Sequence, residues 1–411
     1  MTISPNSQVH PPHQKKLLFV TYGGGHVNMM IPVLNQLRNQ HPNYAINILG
    51  LTTAAAVLEQ HGYNPWGFRH LVQADDEPAL LHGRQLARDL PAQQLLDEET
   101  EAYLGLSFQD LEQRLDSEEA ARLYSEQGRY AFLPLTIMKR AIQKFNPDII
   151  VATNAPRAEQ AAIMEGRKAN IPTVCLVDLF GLRELDTLRQ PDYADRVCVF
   201  HESVRQRLIE AGRKPHEVIT TGNPAFDYLA RPHLKATAQA FRHEKGWQQK
   251  KVILWAAPPR YHNPVACELV PQHLQEALEH NPHWHVVIRP HPNDIQSGES
   301  VISHPQISYS GASDDLPVLI QAADVVIVVS STVGLMSILL GVPVIELDIP
   351  TGFAQHSAYA SQGLAIWVND MKQLTNIINT IFQEESESQH DNFRPTGKAA
   401  ANVVEIIQTM L

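Results

Sequence analysis

Short runs of β-favouring residues alternate with helical patterns along most of the chain, and this alternation limits the fold more than any other feature. Lys16–Thr21 reads as a strand followed by a helix at 28–39, and the pattern resumes at Asp148 and again at Lys251. Such alternation indicates βαβ units, which place parallel strands in one sheet. Because 411 residues exceed one typical core, the sequence predicts two successive doubly wound α/β domains, each Rossmann-like.

Changes of texture along the chain predict the domain limits. Residues 1–14 are polar and contain prolines, which is typical of a disordered tail. The N-terminal domain is expected at 15–235 and contains an acidic, helix-favouring insertion at about 75–145. A polar stretch at about 235–250 reads as a linker. The C-terminal domain is then expected at 250–395, with a C-terminal helix at 396–411.

Composition excludes several classes of protein. The formal net charge of -11 argues against a nucleic-acid-binding protein, which would need a basic face. The three cysteines are far apart and form no C-x-x-C pair, as expected for free thiols in a reducing compartment such as the cytoplasm. The histidines are scattered and no D-x-D spacing occurs, so no metal site is expected.

The segment 325–345 carries no charge over a length that could span a bilayer. Small and turn-forming residues interrupt it at 330–332 and 341–343, which favours a buried strand, a turn, a short helix and a second buried strand. No apolar signal peptide precedes the first strand. The sequence therefore predicts a soluble protein.

The loop after the first strand, "TYGGGHVN", is the first candidate site. It lacks the last glycine of a dinucleotide fingerprint and the Gly-Lys-Ser/Thr of a phosphate-binding loop. Gly23, Gly24 and Gly25 would let a ligand lie against the backbone. His26 would lie at the start of a helix, where the macrodipole keeps the imidazole neutral and available as a base.

Two further turns carry groups suited to anions. "VVIRPHPND" places Arg289 and His291 at the carboxyl end of a predicted strand, where a phosphate or carboxylate could bind. Ser330, Ser331 and Thr332 precede a predicted helix whose free N–H groups also suit an anion. Because both turns are expected on adjacent strand ends of the C-terminal domain, they predict a diphosphate pocket.

These motifs, in this order, resemble the GT-B superfamily of glycosyltransferases. "GGGHVNMMIPVLNQL" is similar to the opening of murein-precursor N-acetylglucosaminyltransferases and of UDP-glycosyltransferases. "SSTVGLMSILLGVPVIELD" resembles their donor segment, although Met336 stands where a glutamate usually binds the donor ribose. "VITTGNPAFDYL" is similar to a segment that GT-B enzymes share with non-hydrolysing UDP-N-acetylglucosamine 2-epimerases. "RPHP" and the "SST" turn resemble capsule and teichoic-acid transferases, and the resemblance to these transferases and to the epimerases is more distant.

The resemblance implies two Rossmann-like domains facing across a cleft, with the acceptor on the N-terminal side and the nucleotide-sugar on the C-terminal side. The expected activity is inverting, metal-independent transfer of a sugar from a nucleotide-sugar, most simply UDP-linked, to an acceptor hydroxyl. His26 matches the catalytic base, and the aspartate that supports this base falls near Thr153 or Asn154. The expected site residues are: catalytic, His26; acceptor side, Gly23, Gly24, Gly25 and Asn154; donor side, Arg289, His291, Ser330, Ser331, Thr332 and Gln355.

No cofactor is expected beyond the nucleotide-sugar as co-substrate. The acceptor, whether a small molecule, a lipid-linked glycan or a peptide, is left open, as is peripheral contact with a membrane. Two alternatives also stay open. A non-hydrolysing UDP-sugar 2-epimerase is one: its "HPN" is present at 291–293, but its "GDT" and "EAGLR" motifs are absent, and Asn154 and Asp178 only approximate their carboxylates. The other alternative is a nucleotide-sugar-binding protein without catalysis.

Overall fold

The computed structural model describes residues 14–88, 97–181, 184–292, 294, 302–311, 313–329, 331–349, 359–384 and 393–411. The chain divides into two compact units. The first contains the chain up to Asp227 together with Lys398–Leu411, and the second contains Tyr228–Gly397. The predicted tail at 1–14 lies outside the described residues except for its last residue. Of the helices that the structure describes, none is long and apolar enough to cross a membrane.

The first unit is built on a six-stranded parallel sheet in the order β2-β1-β3-β4-β5-β6. Its strands are β1 Lys16–Thr21, β2 Ala45–Gly50, β3 Ile149–Thr153, β4 Thr173–Leu176, β5 Arg196–Val199 and β6 Val218–Thr220. The central strands are almost wholly apolar and buried, as expected when helices cover both faces of a parallel sheet.

Helices cover this sheet and form the insertion. They are α1 Gly25–Gln40, α2 Ala54–Gln60, α3 Glu77–Ala87, α4 Asp97–Arg114, α5 Ser117–Gln127, α6 Leu135–Phe145, α7 Ala158–Lys168, α8 Leu185–Leu188 and α9 Glu202–Glu210. The predicted helical insertion at 75–145 corresponds to α3–α6. Gly83 and Gly105 allow α3 and α4 to approach closely, since a Cβ atom on either would lie 2.0 Å from a carbonyl oxygen of the facing helix.

The last helix of the chain, α15 Ala399–Thr409, belongs to the first unit. It packs against α1, and Val403 and Ile407 enter the same apolar cluster as Leu17 of β1. The Asp227 carboxylate accepts hydrogen bonds from the Ala399 and Ala400 N–H groups at the start of this helix. The chain therefore returns to its first unit after completing the second.

The second unit repeats the architecture with the order β12-β11-β10-β7-β8-β9, again all parallel. Its strands are β7 Lys251–Ala256, β8 Trp284–Arg289, β9 Ile307–Tyr309, β10 Val325–Val328, β11 Val344–Leu347 and β12 Ile366–Val368. Its helices are α10 Leu234–Glu244, α11 Pro264–Leu278, α12 Leu316–Ala322, α13 Thr332–Leu339 and α14 Met371–Gln383. The predicted fold class, doubly wound and Rossmann-like in each unit, is confirmed.

Two predictions on the second unit can be compared with the structure directly. The uncharged segment at 325–345 forms β10, α13 and β11, which confirms the predicted strand, helix and strand. The residues expected to be a linker at 235–250 instead form most of α10, and the division between the units lies after Asp227. Helix α10 buries only a narrow face containing Leu234 and Ala238, so its sequence is polar enough to resemble a linker.

Candidate functional site

The strand order of the first unit reverses between β1 and β3, and ligands of doubly wound sheets bind at this kind of position. The chain leaves β1 through the three glycines, and His26 is the second residue of α1. The His26 ring nitrogen Nδ1 lies 2.7 Å from Oγ1 of Thr153, the last residue of β3. The structure thus fixes the predicted base across the switch point of the sheet.

The three glycines differ in what surrounds them. A Cβ on Gly23 would lie 1.8 Å from Thr53 Oγ1, and a Cβ on Gly25 would lie 3.0 Å from Asp178 Oδ2. Gly24 has open space around it and a φ of 68°, a conformation that side chains rarely adopt. Side chains of the protein itself therefore occupy the space beside Gly23 and Gly25, and among the three glycines only Gly24 has space free of described atoms. A sugar-side role for these glycines stays a prediction.

The environment of His26 favours the neutral ring. Burial, together with the nearby positive charge of Arg157, lowers its pKa to about 4. Arg157 begins α7 with a φ of 78° and stacks its guanidinium on the Tyr22 ring. At neutral pH the imidazole is therefore uncharged and able to accept a proton.

Asn154, which follows β3, contacts two acidic residues at the same edge of the sheet. The Asn154 Oδ1 atom accepts the Asp178 N–H at 2.7 Å, and its Nδ2 donates to Glu184 Oε2 at 3.1 Å. Burial raises the pKa of Asp178, although hydrogen bonds from Leu179 and Asn223 oppose the rise. Asn154 thus holds the backbone of Asp178 and the carboxylate of Glu184, and its predicted place on the acceptor side of the site stays a prediction.

In the second unit the strand order reverses between β7 and β10. Ser331 follows β10 and caps α13, its hydroxyl accepting the Val333 N–H at 3.2 Å. The Tyr359 hydroxyl donates to the Ser331 carbonyl at 2.7 Å, which holds the start of this helix in place. Thr332 is the first residue of the helix. The predicted donor-side residues Ser330 and Gln355 lie outside the described residues, as does Asn293.

The predicted adjacency of the two anion-suited turns is wrong. Arg289 ends β8, and β7 lies between β8 and β10, because the chain adds β8 on one side of β7 and later returns to add β10 on the other. Arg289 Nη1 donates to Ser310 Oγ at 2.7 Å and to the Gly311 carbonyl at 3.0 Å, so it braces the loop after β9. Burial lowers the pKa of Arg289.

The loop after β7, which the sequence did not single out, lies at the switch point itself. The backbone N–H of Arg260 in this loop donates to Asp294 Oδ2 at 2.8 Å, and the Asp294 N–H donates to the His291 carbonyl. His291 therefore belongs to a pair of loops, after β7 and β8, that the protein ties together. Met336 lies inside α13, where its sulfur accepts a hydrogen bond from the Tyr228 hydroxyl at 3.7 Å.

A known protein family matches a part of the chain that includes the whole second unit. A model of the UDP-N-acetylglucosamine 2-epimerases matches residues 190–408, more than half of the chain. The chain belongs to this family. The match favours the epimerase alternative over the expected glycosyltransferase, which is supported only by a shared fold. No curated protein matches the chain.

Solved structures share the fold at low sequence identity. The UDP-GlcNAc 2-epimerase of Methanocaldococcus jannaschii is 13% identical, with a TM-score of 0.59 over 96% of this chain and 99% of that one. The enzyme of Neisseria meningitidis is 16% identical, with a TM-score of 0.56 over 96% and 100%. The glycosyltransferase of kitacinnamycin is 13% identical, with a TM-score of 0.59 over 97% and 100%. Epimerases and a transferase thus have this fold in common.

Proposed function

We propose that the protein is an enzyme that acts on a UDP-linked N-acetylhexosamine and inverts its configuration at C2. Family membership supports the reaction class. The neighbours support the ligand class, since the Neisseria meningitidis enzyme is described bound to UDP-GlcNAc and a Staphylococcus aureus relative with UDP. The proposal replaces glycosyl transfer as the first candidate.

The observation that carries the proposal is the group of proton-transfer residues at the carboxyl edge of the first sheet. Inversion at C2 by elimination and re-addition needs one group to remove a proton and another to return it on the opposite face. His26 is neutral, and the pKa of Asp178 is raised, so its carboxyl keeps its proton to a higher pH than an ordinary aspartate. Glu184 adds a second carboxylate through Asn154. Asp178 and Glu184 are therefore our candidates for the acids that the absent "GDT" and "EAGLR" motifs would provide.

In the proposed reaction the base removes the C2 proton while the bond between C1 and the diphosphate oxygen breaks, which releases UDP and leaves a C1–C2 double bond. The diphosphate oxygen then re-adds to C1, and the acid delivers a proton to the other face of C2. We assign these proton transfers to His26 and Asp178. We further propose that no metal or organic cofactor takes part.

The test is incubation of the protein with UDP-GlcNAc alone in D₂O, followed by ¹H NMR. Epimerisation predicts a second UDP-hexosamine and loss of the C2–H signal, because the returned proton comes from solvent. Activity should persist after treatment with EDTA. Absence of both the second sugar and the C2 exchange, under conditions where UDP stabilises the protein against heat, would contradict the proposal.

Glycosyl transfer is the second candidate, and one observation favours it: a neutral histidine begins the first helix at the position that resembles the transferase base. Here His26 would deprotonate an acceptor hydroxyl attacking C1. This candidate predicts no epimer and release of UDP that depends on added acceptors. UDP binding without either product would leave the protein a nucleotide-sugar-binding protein.

A further inference from the structure

Glu159 is a buried acid that the proposed reaction does not use. It is the second residue of α7 and has no exposed surface. Its Oε1 accepts the Tyr22 N–H at 2.8 Å, and hydrogen bonding from the Thr153 side chain and the Ala155 backbone also acts on this carboxyl. A carboxyl group is costly to bury in a protein interior, so this side chain calls for a function.

The Thr153 hydroxyl links Glu159 to the predicted base. Its Oγ1 lies 2.7 Å from His26 Nδ1, and the same hydroxyl lies beside the Glu159 carboxyl, whose pKa it lowers. A threonine hydroxyl carries one proton, so it can donate to only one of these two neighbours at a time and must accept from the other. The proton state of Glu159 and that of His26 are therefore coupled through Thr153.

We propose that Thr153 and Glu159 are positioning residues that decide which nitrogen of His26 carries the proton. The inference rests on the proposed function only in that His26 performs proton transfer there. It concerns two side chains to which neither the family match nor the motifs assign a role.

The coupling has two states. When Glu159 is ionised, Thr153 donates to it and accepts from His26 Nδ1–H, so Nε2 carries a lone pair and acts as a base. When Glu159 is protonated, it donates to Thr153, which in turn donates to His26 Nδ1, so Nε2 carries the proton of the neutral ring and can only donate a hydrogen bond. Burial raises the pKa of Glu159 to about 8, which places the exchange between the two states near that pH.

Other titratable groups surround this chain of three residues. They are Tyr22 after β1, Tyr103 on α4, Arg157 on α7, Cys175 on β4, Tyr193 before β5, and Asp178 beside Gly25. Burial raises the pKa values of Tyr22, Tyr193 and Cys175 above their usual range, so these groups stay neutral near pH 8. Asp178 also has a raised pKa, and the experiment must separate it from Glu159.

The deciding measurement is ¹⁵N NMR of histidine-labelled protein between pH 6 and 9.5, without substrate. The His26 signals are identified by their loss in His26→Gln. In the unmodified protein the proton should move from Nε2 to Nδ1 as pH rises, with a midpoint near 8. Glu159→Gln should abolish this change, whereas Asp178→Asn should preserve it. A tautomer that is constant with pH, or that changes equally in Glu159→Gln, would overturn the proposal.

Threonine variants provide a second measurement that does not depend on Glu159 variants folding. Thr153→Val removes the hydroxyl and should abolish the pH-dependent change, and Thr153→Ser should restore it. On UDP-GlcNAc, Thr153→Val should lower kcat by ~10-fold or more with little change in KM. If the His26 tautomer follows Glu159 but no epimerisation or transfer occurs, the coupling of Glu159 to His26 is supported and the proposed function fails. If epimerisation occurs but the tautomer does not follow Glu159, only the proposed coupling fails.

Discussion

The carboxyl edges of the two sheets contain different chemistry although the two units have the same architecture. In the first unit this edge gathers His26, Asp178 and Glu159, of which Glu159 is buried and the other two half-buried, and each has a pKa displaced toward the uncharged form. In the second unit the polar groups are engaged in fixing loops: Ser331 caps α13 and Arg289 braces the loop after β9. The first edge therefore carries groups suited to proton transfer, whereas the polar groups of the second edge hold its loops in place.

The family match divides the chain along nearly the same line. It covers the whole second unit but begins at residue 190, after His26, Thr153, Asp178 and Glu184. The part of the chain that the family match covers therefore includes Ser331 and Arg289, whereas the residues that we propose for proton transfer, His26 and Asp178, lie outside it.

Substitution of His26 should produce the largest effect and tests whether the first edge performs the chemistry. We expect His26→Ala to lower turnover on UDP-GlcNAc by ~10²-fold or more, because the base is lost, while UDP still stabilises the protein against heat. The exposed His216 provides the matched control, His216→Ala, which should leave turnover unchanged. Equal turnover in both variants would end the assignment of His26.

The pH dependence of stability tests the same edge without substrate. Because the folded-state pKa of Glu159 is raised to about 8, the folded protein binds more protons than the unfolded chain between about pH 4.5 and 8, and this group's contribution to stability falls as pH rises. His26 opposes the trend below pH 6.5, where its lowered pKa makes stability rise with pH.

Between pH 6.5 and 8 only the Glu159 effect of this pair remains, and it should cost at most about 2 kcal/mol. Glu159→Gln should remove this part of the slope in urea unfolding, so that the variant gains stability relative to the unmodified protein as pH rises. A constant difference between the two proteins from pH 6.5 to 8 would mean that Glu159 titrates normally.

Gly334→Ala tests the scaffold of the second edge. A Cβ here would lie 2.7 Å from the Tyr359 ring, which holds the start of α13. We expect a loss of about 1–2 kcal/mol in unfolding free energy and a smaller thermal shift with UDP, since the ring must move. Gly311→Ala is the control, because its Cβ would meet no atom closer than 3.8 Å. Unaltered UDP binding in Gly334→Ala would argue against a donor role for this helix start.

The smallest expected effect concerns the return of the chain to its first unit. Asp227→Ala removes the carboxylate that accepts two N–H groups at the start of α15, and we expect a loss of about 1 kcal/mol in thermal or urea unfolding. Turnover should change little in the folded variant. Asp227→Asn, which keeps one acceptor oxygen, should lie between the two, and a larger loss for Asn than for Ala would be inconsistent with a capping role.

Sequence patterns predict most of the elements but miss two of the three-residue strands. Strands β9 and β12 have three residues each and are partly exposed, so they present neither the length nor the apolar run that marks a buried strand. The sequence of α10 resembles a linker because the buried face of this helix is narrow. In each case burial is decided by contacts that are distant in the sequence.

The residues of the candidate site also divide into those that a local pattern predicts and those that only tertiary packing brings together. His26 was predictable from its loop, since a glycine-rich turn between a strand and a helix is a local pattern. Its hydrogen-bond partner was expected near Thr153 or Asn154, and the structure assigns that contact to Thr153 and gives Asn154 two acids to hold. Glu159 gave no signal at all, because a glutamate near a helix start is ordinary in sequence.

By itself, then, the sequence determined the doubly wound class of both units, the helical insertion and the histidine after the first strand. These features depend on periodicity and turn residues, which act over a few positions. Only the tertiary structure decided that β7 separates β8 from β10, that α15 completes the first unit and that Glu159 lies behind Thr153 and His26. Strand order and the burial of an acid result from packing between distant segments, and no local pattern encodes them.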